Sequence, residues 1–294
     1  MSAAPAPVFA VRAARTIRRR RARSGVMVGF TLLAAGLATL PLVFILGYLV
    51  VKGAGALSVD FFTKMPVGPL DEGGGLAHAI VGTLMLVGIA MAIGLPVGVG
   101  AGLYLAEHRG SAFATVVRFL ADVLNGLPSI VMGIFAWQFL VRPLGHFSAL
   151  AGGVALGAML VPLVTRTTEE MVRTVPATLR EAALALGYPR WRTSLVIVLR
   201  TALAGIVTGA LVAIARIAGE TAPLIFTVLG NNFWSTDLRA PIAALPLSIY
   251  EYAKSPYDDW HAKAWAGALV LIALVLALSL AARAVTRGRH AGGD

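Results

Sequence analysis

The chain has 294 residues, of which 58% are hydrophobic and 13% charged, with a formal net charge of +11; its mean hydropathy is +0.81. That balance excludes an ordinary soluble domain, and apolar runs of more than 18 residues recur, as in a polytopic membrane protein. The chain has no cysteine, which excludes a disulfide framework, thiolate metal sites and thiol catalysis without identifying a compartment.

Arg12, Arg15, Arg18, Arg19, Arg20, Arg21 and Arg23 directly precede the first apolar run. That placement reads as a flank orienting the first span rather than as a nucleic-acid arm, so no nucleic-acid partner is expected. The run from Val26 to Val51 is too long for a signal-peptide core, and no small-x-small cleavage site follows it. Residues 1–25 are expected to form a basic tail, 26–285 a six-span transmembrane domain and 286–294 a second tail.

Span one is predicted at Met27 to Val51, with Pro41 as a kink. A polar, glycine-containing loop runs from Lys52 to His78. Span two is predicted at Ala79 to Leu105, interrupted at Gly94 and Pro96, and Glu107 to Gly110 forms a turn. Span three, Val117 to Val141, carries Arg118, Asp122 and Asn125 in its first part. Pro128-Ser129 would break it to expose backbone groups, or would only kink it for packing. Asp122 is expected to pair with Arg118 at i−4. Arg142 to His146 turns into span four, Phe147 to Thr165.

A polar segment, Arg166 to Leu195, follows. Within it Pro176 to Arg192 reads as a helix of about three turns, closed by Gly187 in the left-handed conformation and stopped by Pro189. Its Ala182, Ala183 and Ala185 suit close seating in a groove. Ser194 to Gly230 is nearly all apolar and would be about 54 Å long as one helix. That is too long for one crossing and too short for two, so one crossing plus an extra outer segment is expected. A polar loop, Asn231 to Lys263, precedes span six at Ala264 to Arg283 and a basic tail, Arg287 to His290. Six spans put both termini on one side, which then holds 18 Lys and Arg against 6 on the other. That bias makes the side of the termini, and of the Pro176–Arg192 helix, cytoplasmic.

Arg216 lies inside the apolar run, with Glu220 four residues on. On one helix the two share a face and neutralise each other, and a mid-bilayer arginine is costly enough to need such a partner. Arg216 is 16 residues beyond Arg200, taken as the cytoplasmic edge of the span, or about 24 Å on an unbroken helix. That places it in the outer half of the membrane, or deeper if the helix tilts or starts later. Gly219 and Pro223 allow a helix break there. The pair reads either as a structural lock between helices or as an anion-pathway site, since guanidinium matches phosphate-like oxygens.

Two of these stretches resemble a known family. Glu181-Ala182-Ala183, Gly187, Ile197 and Leu199 match the EAA loop of bacterial ABC-importer permeases, except that Arg200 stands where that pattern has proline. Arg216-Ile217-Ala218-Gly219-Glu220-Thr221 is similar to the R-x-x-G-E-T motif of phosphate ABC-importer permeases. Leu124 to Gly133, Gly74 to Thr83 and Leu103 to Glu107 agree with the same family. The ending Glu220 to Leu224 is closer to its PstA type than to the PstC type.

The resemblance implies an all-α integral membrane protein, a type I (MetI-like) importer bundle of six transmembrane helices with a cytoplasmic coupling helix. It implies a heterodimer with a PstC-type permease, an ATPase dimer and an extracytoplasmic phosphate-binding protein, set in the lipid of the cytoplasmic membrane. Glu181, Ala182, Ala183 and Gly187 would couple to the ATPase, and Arg216, Glu220, Thr221 and Ser129 would line the phosphate pathway. None of the four lysines, Lys52, Lys64, Lys254 and Lys263, sits in a P-loop. ATP and magnesium would therefore be used by the partner ATPase, with no cofactor on this chain. The five histidines have no ligand spacing, so no metal site is expected. The alternatives are a permease for another oxyanion or small polar solute and, more remotely, an intramembrane enzyme, which would need a convergent acid–base or metal cluster.

Overall fold

The computed structural model describes residues 8–68, 71 and 73–288, which are helical with no strand. Two compact units are distinguished, residues 1–51 and 52–294. The first is built on α1, Val8–Gly53, a helix that runs through Pro41 without ending there. Its basic flank is thus helical from Val8, while Arg289 and His290 of the second tail lie outside the described residues.

In the second unit α2, Val59–Thr63, is capped by Ser58, whose side chain accepts from the Phe61 N–H. The long helices follow: α3, Ala77–Glu107; α4, Ala112–Gly126; α5, Ser129–Ala136, continued by a π-helical turn to Val141; and α6, Ala149–Arg173. Next come α7, Ala177–Ala185; α8, Arg190–Ala218, which carries a π-helical stretch at Thr193–Val198; α9, Ala222–Thr227; α10, Leu245–Ala253; and α11, Asp258–Gly288. Among the described residues five helices are long and apolar enough to cross a membrane, and six if α4 and α5 count as one span bent by 106°.

Two expectations are corrected and one open alternative is decided. Gly94 and Pro96 do not interrupt α3, which is continuous. Its glycines serve contact instead: a Cβ on Gly94 would sit 2.7 Å from Leu160, on Gly98 2.7 Å from Val164, and on Gly102 2.5 Å from the Thr165 carbonyl. This i, i+4, i+8 stripe lets α3 and α6 approach backbone to backbone, which is how helices gain contact where lipid removes the hydrophobic drive. Of the two alternatives for Pro128-Ser129, span three takes the break, bending by 106° between Gly126 and Ser129. Span four extends eight residues beyond Thr165, the charges at its end pairing within the helix and with Arg118 of α4.

The loop expected at Asn231 to Lys263 is also more than a polar connection. Ile242, Ala243, Ala244, Leu245 and Leu247 are buried, and the Leu245 N–H donates to the Thr83 hydroxyl at 2.8 Å. A Cβ on Gly82 would meet the Ala243 carbonyl at 2.0 Å, so the chain re-enters against the start of α3 before α10. The main core joins Leu86, Ala90, Leu156, Leu160, Val164, Ile214, Ile217 and Leu224 from α3, α6, α8 and α9.

Candidate functional site

Two places draw the predicted residues together, at opposite ends of α8. At the near end, α7 spans nine residues, with Pro176 as its N-cap. Its C-terminus closes as expected: Gly187 has φ +83°, its N–H reaches the Leu184 carbonyl at 3.0 Å, and the Tyr188 N–H reaches the Ala183 carbonyl at 3.1 Å. These two bonds satisfy carbonyls the helix would otherwise leave free. Pro189 then caps the start of α8. Arg200, where a proline was expected, is exposed within the continuous helix, so the joint lies ten residues earlier than the motif suggests.

The alanines of α7 divide between two faces. Ala183 is buried against the bundle at 2% exposure, whereas Glu181, Ala182, Ala185 and Gly187 are exposed. Leu184 and Leu186 are exposed beside them. Among the described residues Glu181 has no hydrogen bond or ion pair. One face of α7 therefore seats in the chain's own bundle, and the other is exposed.

What fixes the seated face was not legible in the sequence. Arg180 forms an ion pair with Glu107 at the end of α3 and donates to the Val172 carbonyl of α6 at 3.2 Å. One side chain thus ties α7 to the ends of two long helices. Beside it, Glu169 is wholly buried. Arg118 of α4 donates to it twice, at 3.0 and 2.8 Å, Arg173 pairs with it, and Arg166 lies 3.4 Å away. The expected Arg118–Asp122 pair is therefore not formed: Arg118 is taken by the buried carboxylate, and Asp122 lies 3.9 Å from Arg166. The i, i+3 and i, i+4 spacing of Arg166, Glu169, Glu170 and Arg173 was visible in the sequence, but the 51-residue step to Arg118 was not.

At the far end, α8 stops at Ala218, and Gly219 caps it. Arg216 is thus in its last turn, while Glu220 lies beyond the break. Their side chains are 3.9 Å apart, a loose pair across the break rather than along one helix, with Arg216 57% exposed and Glu220 17%. Thr221 is the N-cap of α9. Ser129 begins α5, which packs on α9 where a Cβ on Gly133 would lie 2.8 Å from Pro223 Cα. Among the described residues no hydrogen bond joins Ser129 to Arg216, Glu220 or Thr221. Ala215 and Gly219 share a groove with Leu271, Ile272 and Ser279 of α11. Leu271 is 13 residues into that helix, about 20 Å from its start. The break therefore lies beside the middle of the last span, the deeper of the two positions expected.

This arrangement can present a half-free guanidinium, at mid-depth, to whatever covers that face. Lipid is a costly cover for it; water, an anion or another polypeptide is not. Among the described residues no group of three or more His, Asp or Glu could hold a metal ion.

Comparison with known proteins places these features. The family described as "Binding-protein-dependent transport system inner membrane component" matches residues 98–290. The chain is 48% identical to the phosphate transport system permease protein PstA of Yersinia pestis over 269 residues, 91% of this chain and 90% of that protein. It is 38% identical to PstA 1 of Mycobacterium tuberculosis (strain H37Rv), over 90% of this chain and 87% of that protein. Its fold is similar to that of the MetNI methionine ABC transporter in an inward-facing conformation, at 21% identity and a TM-score of 0.57, covering 73% of this chain and 94% of that one.

Proposed function

The chain belongs to the binding-protein-dependent transport inner membrane components, and within them to the PstA-type permeases; from that membership we propose that it forms half of the membrane pathway of an ATP-driven importer for inorganic phosphate. The other half is a PstC-type permease. A dimer of ATPase subunits, using ATP and magnesium, supplies the energy, and an extracytoplasmic phosphate-binding protein delivers the anion. In this reading the termini and α7 are cytoplasmic.

Transport proceeds by alternating access. ATP closes the ATPase dimer, which carries α7 with it through the exposed face around Glu181, Ala182 and Leu186. Arg180 and Ala183 pass that displacement to α3 and α6. The bundle opens outward, phosphate enters, and Arg216 offsets its charge at mid-membrane. Glu220, across the break, holds the guanidinium until the anion competes for it. Thr221 and Ser129 supply hydroxyl groups on the two helices that meet beside the break.

The observation that carries this reading is the exposure of Arg216, 57%, in an otherwise apolar span. A guanidinium left half open at that depth fits an anion's path better than a structural lock, which would be closed on both sides. Arg216→Ala is expected to abolish phosphate uptake with the assembled complex intact, and Arg216→Lys to retain a small part of it, because lysine keeps the charge and loses the two-pronged contact. Phosphate uptake by Arg216→Ala at the wild-type rate contradicts the assignment.

A further inference from the structure

A pocket of about 500 Å³ opens where the last turns of α3 meet the first turns of α8. Its apolar side, or floor, is formed by Gly100, Leu103 and Leu195, with Gly100 and Leu195 open to the surroundings. Its walls are aromatic: Tyr104, stacked on His108 with ring centroids 4.4 Å apart, and Trp191, 66% exposed. Its mouth is polar, with Arg190, Ser194, His108 and Glu107. Glu107 is neutralised by Arg180, and among the described residues Arg190 has no ion pair, so the mouth carries net positive charge.

The pocket's depth is set by helix length. At 31 residues α3 is about 46 Å long, against a hydrocarbon layer of about 30 Å. Its last turn, from Leu103 to Glu107, thus reaches the head-group region, where tryptophan and tyrosine sit most favourably. Gly100 opens the floor: a Cβ there would meet nothing within 4 Å, unlike Gly98 and Gly102 on the opposite face of the helix, which press against α6.

We propose that this pocket binds an anionic phospholipid, its phosphate on Arg190 and Ser194 and an acyl chain along Gly100, Leu103 and Leu195. An apolar floor continuous with the membrane, an aromatic collar and a cationic mouth are the parts such a molecule needs, and a free anion would use only the last of them. Arg190 also lines a smaller cavity with Glu107, Arg180 and Leu184 beneath α7. The lipid therefore sits against the joint that ties α7 to the bundle. The site is independent of which solute is transported.

The test uses the full-length chain, delipidated in non-ionic detergent and titrated with brominated phosphatidylglycerol, brominated phosphatidylcholine or inorganic phosphate. Binding is read as quenching of Trp191 fluorescence, identified by its loss in Trp191→Phe. Phosphatidylglycerol is expected to quench at low concentration, phosphatidylcholine to need about five-fold more, and inorganic phosphate to leave the phosphatidylglycerol titration unchanged. Arg190→Gln should shift the phosphatidylglycerol midpoint by about five-fold towards that of phosphatidylcholine. Gly100→Leu, whose Cβ meets nothing within 4 Å, should occupy the acyl-chain path and weaken both lipids alike. Wild-type titrations in both variants would overturn the proposal, as would equal binding of the two lipids or competition by inorganic phosphate.

Discussion

Removing the Glu169 carboxylate is expected to cost more stability than removing any of the arginines around it. Glu169 has no exposure, whereas Arg118 is 23% exposed, Arg173 36% and Arg166 40%. The two outer arginines can turn to water when their partner is lost. Arg118 cannot do so as readily, since both its contacts point inward, at 3.0 and 2.8 Å. Breaking a buried pair from one side costs about 3–5 kcal/mol, because a charge is left without compensation. Taking about 2–4 °C per kcal/mol, Glu169→Ala should lower the apparent melting temperature of the purified protein by on the order of 10 °C. Replacing both partners by apolar residues, Glu169→Leu with Arg118→Leu, should recover most of that loss, since the desolvation cost disappears with the charges. Thermal unfolding in one detergent, followed by helix content, measures both. A Glu169→Ala protein melting within about 2 °C of wild type refutes the reasoning, and so does a double variant no better than the single one.

Other consequences follow from the same contacts. Arg180→Ala should leave the ATPase partner hydrolysing ATP but disconnect it from uptake, and exchanging the charges (Arg180→Glu with Glu107→Arg) should restore part of the coupling; the ratio of phosphate moved to ATP hydrolysed reports it. Gly82→Ala should destabilise the protein sharply, because the atom it meets is the Ala243 backbone oxygen at 2.0 Å, while Gly88→Ala, facing open space, should be neutral or stabilising by up to about 1 kcal/mol. Partial desolvation raises the carboxyl pKa of Glu251 in α10, with Lys254 opposing the shift, although the residue keeps an exposed surface that screens the effect. A raised acid folds best when protonated, so its cost is absent below the unfolded pKa, builds as pH rises above it and is complete above the folded pKa. Glu251→Gln should therefore gain a small amount of melting temperature, about 1 °C, over wild type at pH 8 and none at pH 4.

How far the sequence reached depended on the range of each interaction. The Pro176 to Pro189 segment was legible because caps and closing turns are local: proline, glycine and the alanines between them fix it within fourteen positions. The break at Gly219 was legible for the same reason. The glycine stripe of α3 was misread as an interruption, since Gly94 looks the same in sequence whether it breaks a helix or faces Leu160. Arg180–Glu107 and Arg118–Glu169 were missed because each joins residues more than fifty positions apart. The return of Ile242 to Leu247 against α3 was missed because a six-residue apolar run is too short to stand out in a polar loop. The face of α7 turned to the bundle was likewise undetermined, as three alanines in four positions carry no facing signal.

The most direct test is reconstitution of the chain in vesicles with its permease partner, the ATPase dimer and the binding protein, followed by uptake of labelled phosphate and, separately, of labelled sulfate. Accumulation of phosphate that requires ATP and the binding protein, with sulfate left outside, is the result the account predicts. ATP-driven accumulation of sulfate or another solute in place of phosphate would contradict it.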